Sequence, residues 1–352
     1  MKKVMFVTAT LGGGGAERVM LNLANYMSEH GHDVIVFATA PRIKNEYVLN
    51  PEIKTLFLET SKKNKVLKIF DKLTKIRKVF KQFPEHTLVS FFPDINMYTV
   101  LAAAGLNNKV VLSERNDPSR IPDKKYLRGL RNFFYEFCDM IVFQTEDAGK
   151  YFSSRIQKKG TVIFNPVNSD LPQPYEGEKE KTVIAVGRLS PQKDYFMLLK
   201  AFELFHKEHT EYKLEIYGRG KRQHFIDYIE KHQLSECVTL YEHSNDIYAK
   251  VRKCQIYASS SEFEGMSNTM LEAMALGTAA VVTDCPVGGA RAVIKNYQDG
   301  IMVPVGDYKA MARAFKELAE DDSLAQLLVK NALSIRDRLS VEAIARQWLE
   351  RI

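Results

Sequence analysis

Short apolar runs of strand length alternate with longer amphipathic runs along most of the chain, and this rhythm restricts the fold more than any other property of the sequence. At the N-terminus KVMFVTAT leads through a glycine loop to AERVMLNLANYMSEHG and then to DVIVFAT, a βαβ unit. Strand-like runs follow at TLFLE, HTLVSFF, KVVLSE and MIVFQT. A second series begins after NPVNSDLPQPYEGEKEK, with TVIAVG, a helix around YFMLLKAFELFHKEH, YKLEIYG, a helix over 222–233, VTLYE and QIYASSS. It continues with a helix opening near Ser267, then AAVVTD, then the helix SLAQLLVKNALSIRDRL. Strands joined by helical crossovers pair in parallel, so two parallel-sheet α/β halves are predicted. The stretch 166–181 is rich in proline, glycine and charge and reads as the linker.

With 352 residues, each half is long enough to bury its own core. No run of about 18 apolar residues occurs, which excludes a membrane-spanning helix. The short apolar run in MKKVMFVTATLGGGG alternates strand-fashion into glycines and lacks a signal-peptide cleavage pattern. Cys138, Cys237, Cys254 and Cys285 are scattered, without a C-x-x-C pair or paired histidines, and are expected to be reduced cytosolic thiols with no structural zinc.

The net charge of +7 is concentrated in one place. Residues 61–83, SKKNKVLKIFDKLTKIRKVFKQF, carry nine Lys or Arg against the single acid Asp71, a local balance of +8 that leaves about −1 for the remainder. Basicity this local gives no reason to expect a nucleic-acid partner. Val66, Leu67, Ile69, Phe70, Leu73, Ile76, Phe80 and Phe83 recur at helical spacing, with Lys68, Lys72 and Lys75 on the other face. Such a helix is expected to lie on an anionic membrane surface; the same pattern also serves a helix that packs its apolar side on a sheet.

The chemistry-bearing stretch is SSSEFEGMSNTMLEAMALG, residues 259–277. Glu264 precedes Gly265, suited to a tight turn; Ser267 or Asn268 can cap the helix that follows; Gly277 stops it. The backbone N–H groups of Met266, Ser267 and Asn268 then form an anion site at a helix N-terminus, flanked by Glu264 and, about one turn inside, Glu272. Two carboxylates beside an anion site can grip hydroxyls flanking a phosphate, as in a nucleotide sugar. An ordinary capped helix with two solvated glutamates would read the same way.

Three further loops follow strands. Leu11-Gly12-Gly13-Gly14-Gly15-Ala16-Glu17-Arg18 opens the first helix, where glycines let backbone N–H groups approach phosphate. It is a poor dinucleotide fingerprint, since Glu17 stands at the third glycine position and DVIVFATA ends without a ribose-binding acid. Gly187-Arg188-Leu189-Ser190-Pro191-Gln192-Lys193 follows TVIAVG, and Arg188 with Lys193 can bracket a diphosphate, one as a fork and one as a point charge. Tyr217-Gly218-Arg219-Gly220 is a glycine turn of a kind common for backbone reasons alone.

SEFEGMSNTMLEAMALGTAAVVTD resembles the signature of the family-4 retaining glycosyltransferases of the GT-B fold, and the resemblance extends over nearly the whole chain. Ser267 and Ala279 stand where that family often has proline. The resemblance implies an α/β GT-B architecture of two Rossmann-like parallel-sheet domains with an interdomain cleft. An acceptor-binding domain would cover 1–170, completed by the C-terminal helix at about 340–352, and a nucleotide-sugar-binding domain 178–335. It implies that Arg188, Lys193 and Glu264 are catalytic, Glu264 touching the donor sugar and the two bases facing the leaving nucleoside diphosphate. Donor contacts would fall on Gly14, Gly15, Arg219, Gly265, Met266, Ser267, Asn268 and Glu272, the last on ribose hydroxyls. Glu17, Arg18 and Arg115, with the basic helix, would face the acceptor; many relatives have a histidine at the position of Arg115 that contacts the sugar. Phe164-Asn165-Pro166-Val167 matches an Asn-Pro turn at the domain boundary.

The implied reaction moves a hexose or N-acetylhexosamine, with retention and without metal or other cofactor, from a UDP-sugar to a polyprenyl-diphosphate-linked or other glycan. The protein would work in the cytoplasm, peripherally on the inner face of the membrane. A sugar-nucleotide 2-epimerase of the same architecture, or a non-catalytic membrane-surface module, are the alternatives.

Overall fold

A computed structural model describes residues 1–44, 46–59, 65–242, 244 and 246–352, which form two compact units. The first contains 1–166 and 341–352, the second 167–340.

The first unit runs β1 (Lys3–Thr8), α1 (Gly15–Glu29), β2 (Asp33–Ala38), β3 (Lys54–Phe57), α2 (Lys65–Gln82), β4 (Thr87–Ser90), α3 (Pro93–Ala103), β5 (Val110–Ser113), α4 (Lys125–Tyr135), β6 (Met140–Phe143), α5 (Glu146–Lys150), α6 (Ser154–Gln157) and β7 (Gly160–Val162). Its strands pair in parallel in the order β3-β2-β1-β4-β5-β6-β7. β1 is apolar without alternation, and Val4 to Val7 are fully buried, because helices cover both faces of such a sheet. On one face Met5, Val7, Ile35 and Phe37 meet Ile76 and Phe80 of α2, Ile95 of α3 and Tyr135 of α4.

The second unit runs β8 (Glu180–Val186), a 3₁₀ turn (Pro191–Lys193), α7 (Tyr195–His206), β9 (Lys213–Tyr217), α8 (Gln223–Lys231), β10 (Val238–Tyr241), α9 (Ile247–Val251), β11 (Cys254–Ser259), α10 (Asn268–Ala275), β12 (Ala279–Thr283), β13 (Ile301–Val303), α11 (Tyr308–Glu320), α12 (Asp322–Ala332) and α13 (Ile335–Arg338). Its parallel order is β10-β9-β8-β11-β12-β13. The strand order reverses between β8 and β11, so the loops leaving their carboxyl ends diverge and open a crevice there. The run 323–339 is two helices, not the single helix expected: α12 ends at Ala332 and α13 begins at Ile335. β13, with three residues, is too short for its sequence to show a period.

α14 (Val341–Arg351) returns to the first unit. Trp348 is fully buried there and stacks on Phe91 at 5.5 Å, while Lys109 donates to the Arg351 carbonyl at 2.8 Å, satisfying one of the orphan acceptors of a helix C-terminus. No described helix is long and apolar enough to cross a membrane.

The basic helix departs from the sequence reading. Residues 61–64 lie outside the described residues. In α2 the apolar side divides: Ile76 and Phe80 are in the core, but Leu67, Ile69 and Phe70 stand in solvent. Only Lys68 of the three lysines placed on the polar face is exposed. Lys72 lies over the Tyr98 ring at 4.7 Å, and burial draws its pKa down. Lys75 pairs with Asp71 at 2.8 Å and donates to the Glu59 carbonyl at 2.8 Å. The neighbouring α3 takes up the Lys72 charge that spacing alone assigned to solvent, while Lys75 stays at the surface, tied down by Asp71 and Glu59.

Candidate functional site

At the β8/β11 switch point, two loops of the second unit are tied together by polar contacts. The 3₁₀ turn after β8 ends at Lys193, and Asp194, in the left-handed region at φ 38°, caps α7 by accepting from Met197 N at 3.2 Å. The loop after β11 meets this turn at three points. Ser260 Oγ donates to Lys193 O at 2.8 Å, Glu262 N donates to Gln192 O at 2.9 Å, and Gln192 Nε2 donates to Phe263 O at 2.9 Å. From the other side Thr283 Oγ1 donates to Ser261 O at 2.6 Å.

This framework places the Lys193 ammonium in an ion pair with Glu264, whose carboxylate also accepts from Ser261 Oγ at 3.2 Å. The two side chains are only 17% and 18% exposed. Burial works against the Lys193 charge, but the Glu264 carboxylate and then Tyr257 outweigh it and hold the pKa above the usual lysine value. Lys193 is therefore cationic at any physiological pH.

Ser267 is the N-cap of α10, its hydroxyl accepting from Met270 N at 3.4 Å. Gly265 and Met266 are buried just before it, and Glu272, the fifth residue of α10, is buried at 5% exposure. Gly277, at φ 74°, ends the helix, with Thr278 N donating back to Ala273 O at 3.0 Å. The sheet geometry thus brings together Lys193, Glu264 and the α10 N-terminus, which the sequence named 71 residues apart or more loosely.

Arg188 and Arg219 are exposed, and neither side chain has a partner among the described residues. The Gly218-Arg219-Gly220 turn has a backbone role: Leu189 N donates to Arg219 O at 2.8 Å, and a Cβ on Gly218 would collide with the Gly187 carbonyl. That packing holds the Arg188 loop at the end of β8.

Sequence reasoning missed the wall formed by the segment after β12. A concavity is lined by Ser259, Glu264, Gly265, Ser267 and Met270 and, from the end of β12 and the segment after it, by Val282, Thr283, Cys285 and Ala290. Gly289 approaches so closely that a Cβ there would collide with the Gly265 carbonyl. Gly288-Gly289 following a strand was the available signal. Cys285, in the same wall, has its thiol pushed up to about 11 by burial, so it is a packed thiol and not a nucleophile.

In the first unit, Gly13 takes φ 100° and Gly14 is the N-cap of α1. The Glu17 carboxylate folds back against Gly14, over the helix start, so an anion arriving there must displace it. Gly15 opens the helix, and Arg18 N donates to Gly14 O at 3.2 Å. Arg115 stacks on Phe91 at 4.1 Å and near Trp348 at 5.6 Å, and donates to Asn165 Oδ1 at 2.6 Å. Burial lowers its pKa to about 9. It helps bind α14 to the sheet, a packing role the sequence reading did not foresee.

Next to it, Glu114 is buried with Arg131 at 3.7 Å and the Tyr135 hydroxyl at 3.3 Å. Burial raises its pKa to about 7 against the pull of Arg131. A carboxyl whose pKa is raised on folding stabilises the native state below its ordinary value of 4.5, and that contribution is lost as pH rises toward 7. Urea unfolding at pH 5, 6 and 7 should therefore show wild type losing stability relative to Glu114→Gln, by about 1 kcal/mol per pH unit. A pH-independent difference would show that Glu114 is ionised throughout.

Comparison with known proteins covers both units. A family model described as "Glycosyl transferases group 1" matches residues 168–334, and one described as "Glycosyltransferase Family 4" matches 13–171. The chain is 28% identical, over all of its length and 98% of the relative, to the Campylobacter jejuni GalNAc-alpha-(1->4)-GalNAc-alpha-(1->3)-diNAcBac-PP-undecaprenol alpha-1,4-N-acetyl-D-galactosaminyltransferase. It is 29% identical, over 99% of each chain, to the N-acetylgalactosamine-N,N'-diacetylbacillosaminyl-diphospho-undecaprenol 4-alpha-N-acetylgalactosaminyltransferase of the same organism. Among solved structures, Anabaena Alr3699/HepE in complex with UDP and glucose superposes with a TM-score of 0.84 at 16% identity, over 99% of each chain.

Proposed function

The chain belongs to the group 1 and family 4 glycosyltransferases of the GT-B fold, and we propose that it is a retaining, metal-independent enzyme moving a hexose or N-acetylhexosamine from a UDP-sugar to a glycan on a polyprenyl diphosphate. The observation that carries this reading is the partly buried Lys193–Glu264 pair beside the N-terminus of α10, at the switch point of the second unit.

A departing nucleoside diphosphate accumulates negative charge. Lys193 as a fixed ammonium, Arg188 as a free fork and the α10 N-terminus supply positive potential there without reorganising during reaction. Glu264, held by Lys193 and Ser261, is oriented to accept hydrogen bonds from sugar hydroxyls next to the bond that breaks. Glu272 in α10 would take the ribose hydroxyls and Arg219 would lie toward the base. With the charge supplied by the protein, no cation is required. The acceptor hydroxyl attacks on the face the diphosphate leaves, and its proton passes to the departing phosphate oxygen. The lipid-linked acceptor is carried over from what the two Campylobacter relatives act on.

Incubation with a panel of UDP-sugars, with and without a polyprenyl-diphosphate glycan, tests this. The expected result is sugar transfer and UDP release that require the acceptor, α-configuration in the product, and equal rates in EDTA and magnesium. Sugar epimerisation without acceptor would instead make the protein a 2-epimerase.

A further inference from the structure

Tyr126, Leu130, Phe133 and Phe137 follow one another at spacings of four, three and four residues, one stripe along α4 and the turn that extends it. They are 67%, 45%, 56% and 62% exposed. The opposite side of the same helix is committed to the unit, with Arg131 and Tyr135 fully buried. Phe133 meets Phe134 and Phe137 edge-on at 5.4 and 5.2 Å, so the outer rings form a cluster. A contiguous apolar stripe of this size in water marks a surface that something else covers.

Two observations indicate what covers it. The stripe begins among bases: Arg120, Lys124 and Lys125 are exposed, and Lys124 Nζ lies 5.9 Å from the Tyr126 ring centroid. In addition, α3 packs between α2 and α4. The stripe therefore belongs to a helical layer that also exposes Leu101 of α3 and Leu67, Lys68, Ile69 and Phe70 of α2. Two copies meeting through this face would oppose like charges, whereas anionic phosphates at an apolar boundary complement both features.

We propose that this layer of the first unit is a bilayer-insertion surface. Tyr126, Leu130, Phe133 and Phe137 enter the interface of an anionic membrane, and Lys124, Lys125 and Lys68 face its lipid phosphates. This deepens the lipid-linked acceptor reading, on which it rests for its purpose, and it extends the surface beyond α2, whose Lys72 is drawn over Tyr98 and whose Lys75 is paired with Asp71. Attraction by the bases falls with salt, but burial of the rings does not.

The test is co-sedimentation of the full chain with vesicles of phosphatidylglycerol and phosphatidylethanolamine, at low and high salt, for wild type and Phe133→Ser/Phe137→Ser. Thermal unfolding checks that the variant is folded. Wild type should retain a salt-resistant bound fraction, and the variant should lose about tenfold or more in partition, chiefly in that fraction. Phe133→Trp should be quenched by lipids brominated on their acyl chains. Undiminished sedimentation of the folded double variant would overturn the proposal, as would absence of quenching. A wild-type dimer in light scattering that the variant converts to monomer would also overturn it, making the face a self-interface. Transfer to a soluble, short-tailed acceptor is scored separately: its absence for wild type counts against the proposed reaction, not against insertion.

Discussion

Lys193→Ala and Arg188→Ala are each expected to lower turnover by about 10²-fold or more, because each removes charge opposite the departing diphosphate, an effect of about 3 kcal/mol. The structure separates the two in stability. Arg188 is exposed and unpartnered among the described residues, so its removal should leave unfolding within about 0.5 kcal/mol of wild type. Lys193 is paired in a site where its side chain and that of Glu264 are 17% and 18% exposed. Its removal strands a poorly solvated carboxylate, so Lys193→Ala should also lower the melting temperature. The Lys193→Ala/Glu264→Ala double variant should recover part of that loss while remaining inactive, because the stranded charge is gone but so are the groups that act on the substrate. Steady-state kinetics on the donor and thermal unfolding of these three variants and of Glu264→Ala decide the matter. A loss below threefold in Arg188→Ala removes that residue from the mechanism, and additive stability effects remove the coupling.

Gly289→Ala should reduce turnover by a similar factor although the residue has no side chain to offer a substrate. The added Cβ would collide with the Gly265 carbonyl and lie 3.1 Å from Met266 Cα, so the Glu264–Gly265 loop must shift. Overpacking of this kind costs about 1–3 kcal/mol, and a displacement of about 1 Å in a positioning group is enough for a 10²-fold loss. The cause is space alone, since Gly289 does not take a positive φ. Gly129→Ala is the control: it lies in α4 with nothing within 4 Å of the added atom, and should be neutral or slightly stabilising. If Gly289→Ala keeps more than a third of wild-type activity, the wall after β12 does not position Glu264.

Much of the architecture was legible because it depends on local periodicity. Continuous apolar runs such as KVMFVT and AAVVT mark strands buried on both faces, and helices between them force parallel pairing. Ser267 as a cap and Gly277 as a stop were legible for the same reason, since capping is set by the residue itself and its next neighbours. α2 was readable as a helix, but not the fate of its lysines. Spacing assigns a residue to a side of a helix without saying what lies on that side, and α3 supplies Tyr98 beneath Lys72. α4 carries apolar residues on both sides, so no periodicity distinguishes the covered Tyr135 from the bare Phe133.

The sequence by itself determined most of the strands, several of the helices, the loops that follow strands, and the residue types available there for phosphate and hydroxyl chemistry. These follow from side-chain shape, φ/ψ restriction and near-neighbour hydrogen bonding, all of which act within a few residues. Only the tertiary structure decided that Lys193 meets Glu264, that Gly289 abuts Gly265, that Arg115 is taken up against Phe91, and that an aromatic stripe on α4 remains in water. Those pairings depend on which strands become neighbours at the point where the order reverses and on which helices share a layer. Both are fixed by burying the apolar surface of the whole unit at once, through contacts between residues tens to hundreds of positions apart.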